Sequence, residues 1–92
     1  MLTVKQLLSL FDPDSDLQIN LVREDNSTLF IPYPHFMLER KGYDAYLSAP
    51  VHGLNVEQHE ADGKIIPLLI IEGGIRSDFR FPALYPPDAS RR

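Results

Sequence analysis

The sequence predicts an α+β domain from three patterns: a capped amphipathic helix at the start, and two later stretches that alternate apolar and polar residues around a turn. In order, these predict an N-terminal helix, a β-hairpin, a short middle helix, a second hairpin and an extended proline-rich tail. The two hairpins are expected to form one small antiparallel sheet. The domain is expected to span residues 1–81, with residues 82–92 as a flexible basic tail.

The helix is signalled by Thr3-Val4-Lys5-Gln6. In such a capping box the Thr3 hydroxyl accepts from the amide three residues on, while the Gln6 side chain reaches back to the Thr3 amide. Val4, Leu7, Leu8 and Phe11 then fall on one helical stripe. Asp12-Pro13 is expected to end the helix, because a residue preceding proline is pushed out of the α region. The aspartates at 12, 14 and 16 resemble half of a calcium loop. That reading fails, since the sixth position is Leu17 rather than glycine and the twelfth is Arg23 rather than glutamate. A turn between helix and strand remains.

Leu17, Ile19 and Leu21 alternate with polar residues, "EDNS" (24–27) is turn chemistry, and Leu29, Ile31 and Tyr33 alternate again. "PHFMLERKG" (34–42) suits a short helix ended by Gly42. "YDAYLSA" (43–49) fits a strand or an irregular helix, with non-strand preferred because "APVHG" breaks the pattern directly afterwards. In the second hairpin Asp62-Gly63 is the dipeptide favoured by a two-residue type I′ turn. Placing it at the tip aligns Val56 with Leu69 and Leu54 with Ile71. Pro67 lacks an amide proton and is expected at an edge or bulge. The run "IIPLLII" (65–71) is apolar on both sheet faces. The first helix and the middle segment cover one face, leaving the other for the tail, a second copy or a partner.

Composition narrows the function classes. The 92 residues contain no cysteine, so disulfides and cysteine-based zinc sites are excluded. A run of seven residues that includes a proline falls far short of the roughly 20 needed to span a bilayer as helix. Lys5 and Gln6 interrupt any signal-peptide core, and a cytoplasmic protein is expected. The net charge of −4 is concentrated in residues 1–72, whereas residues 73–92 are net basic. An acidic body argues against a duplex-DNA reader, since phosphate neutralisation dominates that affinity.

No nucleophile elbow, zinc-protease helix or phosphate-binding glycine loop is present, and the chain is expected to be a non-enzyme without a cofactor. Glu57 and His59 lie two apart on one strand, but a third ligand for zinc is not evident. Arg76, Phe79, Arg80 and Phe81 interleave cations with aromatic rings, a pattern that can stack single-stranded nucleic acid. The competing reading is that the phenylalanines pack on the sheet.

The opening "LTVKQLLSLFDPDSDLQINLV" resembles the start of small accessory proteins encoded by phages and prophages, over residues 2–23 closely and 51–72 loosely. The resemblance carries over no catalytic residue. It implies action by binding, in the manner of inhibitors of host defence such as anti-CRISPR proteins. The leading expectation is therefore a small binding protein that docks a still unidentified protein partner through an exposed sheet face, a sheet edge or an acidic patch. Glu57, His59, Glu60, Asp62, Ile66, Leu68 and Ile70 are the candidate contact residues. The alternatives are a homodimer or larger homo-oligomer that buries "IIPLLII" against its copy, single-strand nucleic-acid binding by residues 76–81, and metal binding around Glu57 and His59.

Overall fold

The computed structural model describes residues 2–86, in the order α1 (Val4–Leu8), β1 (Gln18–Val22), β2 (Thr28–Ile31), a 3-10 helix (Pro34–Glu39), α2 (Asp44–Leu47), β3 (Val51–Ala61) and β4 (Lys64–Gly73). Both halves of the capping box form: Thr3 Oγ1 accepts from the Gln6 amide at 3.2 Å and Gln6 Oε1 accepts from the Thr3 amide at 2.9 Å. The helix stops at Leu8, before the expected stop at Asp12-Pro13. Ser9 explains the early end. Its hydroxyl bonds back to the Lys5 carbonyl at 2.8 Å, and the next amides, Leu10 and Phe11, reach only three residues back. Asp12 then anchors the turn, its carboxylate accepting from the Asp14 amide and its carbonyl from Ser15.

Each hairpin is antiparallel, and the pairs Val56–Leu69 and Leu54–Ile71 are those the Asp62-Gly63 tip requires. Asp62 (φ 52°) and Gly63 (φ 76°) both adopt the left-handed conformation of that turn. The sheet they build is not antiparallel throughout. Its order is β2-β1-β4-β3, and β1 runs parallel to β4, so it is a mixed four-stranded sheet. The cause is the crossover of residues 32–50. A chain that leaves β2, crosses the core face through two short helices and re-enters the sheet returns to the end where β2 began, so β3 runs parallel to β2. Hairpin patterns fix pairing within a hairpin but carry no signal for how two hairpins dock. The docking places "IIPLLII" in a central strand, the environment that a nearly continuous apolar run fits.

Pro67 pairs with Gln58, and β1 joins β4 only from Leu68 onward. Counting back from the tip, 58–67 is a pair without hydrogen bonds between the two strands, so the proline nitrogen faces the side where β1 has not yet begun. Pro67 thus sits on a locally open edge of β4, as expected, and no bulge is needed there. A bulge does occur at His52, between Val51 and Gly53.

The core lies on one face of the sheet. Ile19, Leu21, Ile31, Leu69 and Ile71 meet Val4, Leu7 and Leu8 of α1, Met37 of the 3-10 helix, and Tyr43, Tyr46 and Leu47. The middle segment is thus helical in both halves. Gly42 between them has φ 92°, and a Cβ there would sit 2.9 Å from Pro82 Cγ, so the position excludes any side chain on two grounds. The 75–84 segment closes the core: Phe81 packs edge-on against Tyr46 (5.2 Å between ring centroids) and Phe79 (5.0 Å). Tyr43 Oη both donates to the Ala83 carbonyl and accepts from the Ala83 amide. Of the expected tail, Ala83 is therefore hydrogen-bonded to the domain, Leu84 packs on the core and Tyr85 meets the Tyr33 ring, while 87–92 lie outside the described residues.

Tyr46 Oη is buried and has no hydrogen-bond partner among the described residues. Burial holds the phenol far above its ordinary value of about 10. The unfolded chain releases this proton near pH 10 and the folded chain does not, so stability falls as pH rises above that point. Tyr46→Phe removes an unsatisfied hydroxyl. It is expected to leave stability equal or raised by up to about 1 kcal/mol near neutrality and to flatten the alkaline decline, read as urea midpoints across the alkaline range.

Candidate functional site

β3 and β4 are eleven and ten residues long, whereas β1 has five. The sheet is therefore four strands wide only near its base. Beyond Leu68 toward the tip the hairpin continues as a two-stranded arm, residues 58–67. The arm curls. Phe30 of β2 and His59 of β3 have ring centroids 6.3 Å apart although β1 and β4 lie between their strands. Asp62 at the tip shares a cleft with Pro13, Tyr33 and Pro86. The bend also shows in burial: Ile66 and Leu69 are buried, and strict alternation is lost across Pro67.

This curl sorts the candidate contact residues. By register Glu57, His59, Ile66, Leu68 and Ile70 share the concave face, away from the main core, whereas Glu60 points to the convex side and Asp62 sits at the turn. Ile66 is only 7% exposed, and Leu68 and Ile70 are half-buried, so they are not the apolar surface offered to solvent. That surface is on the convex side: Leu54 (46% exposed), Val56 (59%) and Ile65 (69%). Its residues were legible as apolar strand positions. What hid them was the length of β1, which decides how far the helices and sheet extend over the hairpin.

β3 is one of the two outer strands, β2 being the other. The first residues of β3 are covered, since Val51 donates to the Leu2 carbonyl at 2.8 Å and Thr3 bridges to Pro50. From Leu54 to Glu60 no strand of the described residues lies alongside its outer edge. Counting from the hydrogen-bonded Ala61–Lys64 pair at the tip, the amides and carbonyls of Leu54, Val56, Gln58 and Glu60 point outward. One of these donors is capped by the chain itself: the Val56 amide bonds to Asn55 Oδ1 at 3.0 Å. The feature is an open strand edge beside an exposed apolar stripe, with Glu57 and Glu60 supplying negative charge.

The other candidates fare differently. Among the described residues no group of three histidines and carboxylates is placed to hold a metal, and His59 lies against Phe30. Phe79 and Phe81 pack on the core, Arg76 pairs with Asp78 at 2.9 Å, and Arg80 is exposed. Among the described residues no helix is long and apolar enough to cross a membrane. No protein-family model, curated protein or solved structure matches the chain.

Neighbouring residues 65 and 66 separate the two faces of the arm. Ile66→Ala is expected to cost about 2 kcal/mol or more, the usual cost of emptying a buried isoleucine site. Ile65→Ala should stay within about 0.5 kcal/mol, as exposed substitutions do. Urea denaturation of the two variants checks the pair.

Proposed function

We propose that the protein acts by binding another polypeptide, which adds an extended strand to the open edge of β3 and packs side chains on Leu54, Val56 and Ile65. The observation that supports this is the coincidence of outward-facing backbone groups from Leu54 to Glu60 with the exposed aliphatic side chains of the β3–β4 hairpin, Leu54, Val56 and Ile65. Main-chain hydrogen bonds supply affinity in such a mode, and the alternate side chains supply selectivity. The accessory-protein role implied by the opening residues works by the same means, with a host protein as partner. A second copy of the chain is the competing occupant of this edge.

Val56 provides the test, because its amide points away from β4. Val56→Pro removes an outward donor without breaking a bond to β4. It is expected to stay folded by circular dichroism and to lose at least about tenfold in binding, the scale of one or two lost interfacial hydrogen bonds. Asn55→Ala uncovers the Val56 donor and should strengthen the same interaction. Binding is read as capture from lysate, and self-association by light scattering. Unchanged binding by folded Val56→Pro, or a wild-type chain that captures nothing and stays monomeric, removes the strand-addition reading.

A further inference from the structure

On the side of the domain where the C-terminal segment crosses the β1–β2 turn, a groove of about 530 Å3 opens between two arginines. Arg23, from the end of β1, and Arg80, from the segment after β4, both line it. Phe79, Phe81, Leu29 and Leu84 form its apolar walls. All four are half-buried, packed on the core from below and open to the groove above. The volume falls in the range of roughly 300–1,000 Å3 typical of small-molecule sites.

The two cations that line the groove are opposite in sign to the net charge of the chain. The chain carries −4 overall, yet neither Arg23 nor Arg80 forms an ion pair among the described residues. Arg23 is held in place by its Nε, which donates to Ser27 Oγ at 2.8 Å. Ser27 Oγ in turn donates to the Asp25 carboxylate, and that bond, together with the Ser27 amide, keeps the Asp25 carboxyl below the usual range. A turn built this way fixes the guanidinium by one nitrogen and leaves its two terminal nitrogens as donors. Asp78, the carboxylate lining the groove, is bonded to Arg76 Nη2 at 2.9 Å. Asp25 also attracts the Arg23 guanidinium but does not line the groove, so among the described residues the groove's lining carries two guanidinium groups and one carboxylate, Asp78, already bonded to Arg76.

We propose that this groove is a binding site for a small, flat apolar molecule bearing an anionic head. The head, a phosphate or a carboxylate, lies against the forked donors of Arg23 and Arg80, and the body lies against Phe79 and Phe81. The site is separate from the β3 edge, and the strand-addition reading stands or falls without it. The same sequence segment suggested single-strand binding, but the phenylalanine rings are anchored in the core rather than presented as a row of stacking platforms. One compact ligand fits this arrangement better than a continuous strand.

Adenosine 5′-monophosphate and indole-3-acetate serve as probes of the phosphate and carboxylate forms, each paired with an uncharged counterpart, adenosine and indole-3-acetamide. Amide chemical shifts of the wild-type chain are followed through each titration. Saturable shifts confined to residues 23, 29 and 77–84 are expected for at least one anion, and which anion binds identifies the head group. The uncharged counterpart is expected to bind at least about tenfold more weakly, since it forfeits the charge-assisted bonds. Arg80→Gln, an exposed substitution that leaves the fold intact by its amide spectrum, is expected to weaken the anion by a similar factor. Failure of both anions, equal binding of a neutral counterpart, unchanged affinity in Arg80→Gln, or tighter binding of a single-stranded oligonucleotide than of the mononucleotide each overturns the proposal.

Discussion

Much of this molecule follows from the pairing of β1 with the upper half of β4. Five residues of β1 meet Leu68 to Glu72 and nothing below. That one register makes a single sheet of two hairpins and puts the most apolar segment of the chain in its middle. It leaves β3 on the outside, and it sets where the hairpin stops being sheet and becomes an arm. From Leu68 to Glu72, β4 has a strand along each edge, β1 on one and β3 on the other. Below Leu68, the chain has only its own partner strand, and it compensates by curling toward Phe30 and the loop near Pro13.

A second dependence runs through the aromatic cluster. A chain this small has little interior, and its helices are short, five residues in α1 and four in α2. They cannot roof a four-stranded sheet alone. The C-terminal segment completes the cover, with Phe79 and Phe81 against Tyr46 and the Tyr43 hydroxyl clasping Ala83 from both sides. Because that segment is roof as well as rim, its apolar rings form walls beneath Arg80 while the arginine stays in solvent. The groove beside Arg23 is a by-product of closing the core, with chemistry that the acidic body lacks.

Legibility differed by the range of the interaction involved. The capping box, the Asp62-Gly63 turn and the Val56–Leu69 register rest on contacts within a few residues or across one tight turn, and the residues state them outright. Ser9 carries no signal for the early end of α1, because its hydroxyl can bond to the carbonyl four residues back in a helix that continues as well as in one that stops. The exposed stripe was misplaced onto Ile66, Leu68 and Ile70, since the alternation of a strand reveals two faces but not which one is covered. Arg23 joined no candidate site in sequence, standing 57 positions from Arg80 with no shared motif.

The amino-acid sequence by itself determined the α+β class, the cap, the two hairpins and the register within each, because propensity, turn chemistry and period two act locally. Only the tertiary structure decided that the hairpins dock in parallel, that β3 is left as the open edge, and that Arg23 and Arg80 flank one groove. Those outcomes depend on how a 19-residue crossover packs its helices over the sheet. No local pattern encodes that packing, since it is set by the shapes of surfaces that exist only after both hairpins have formed.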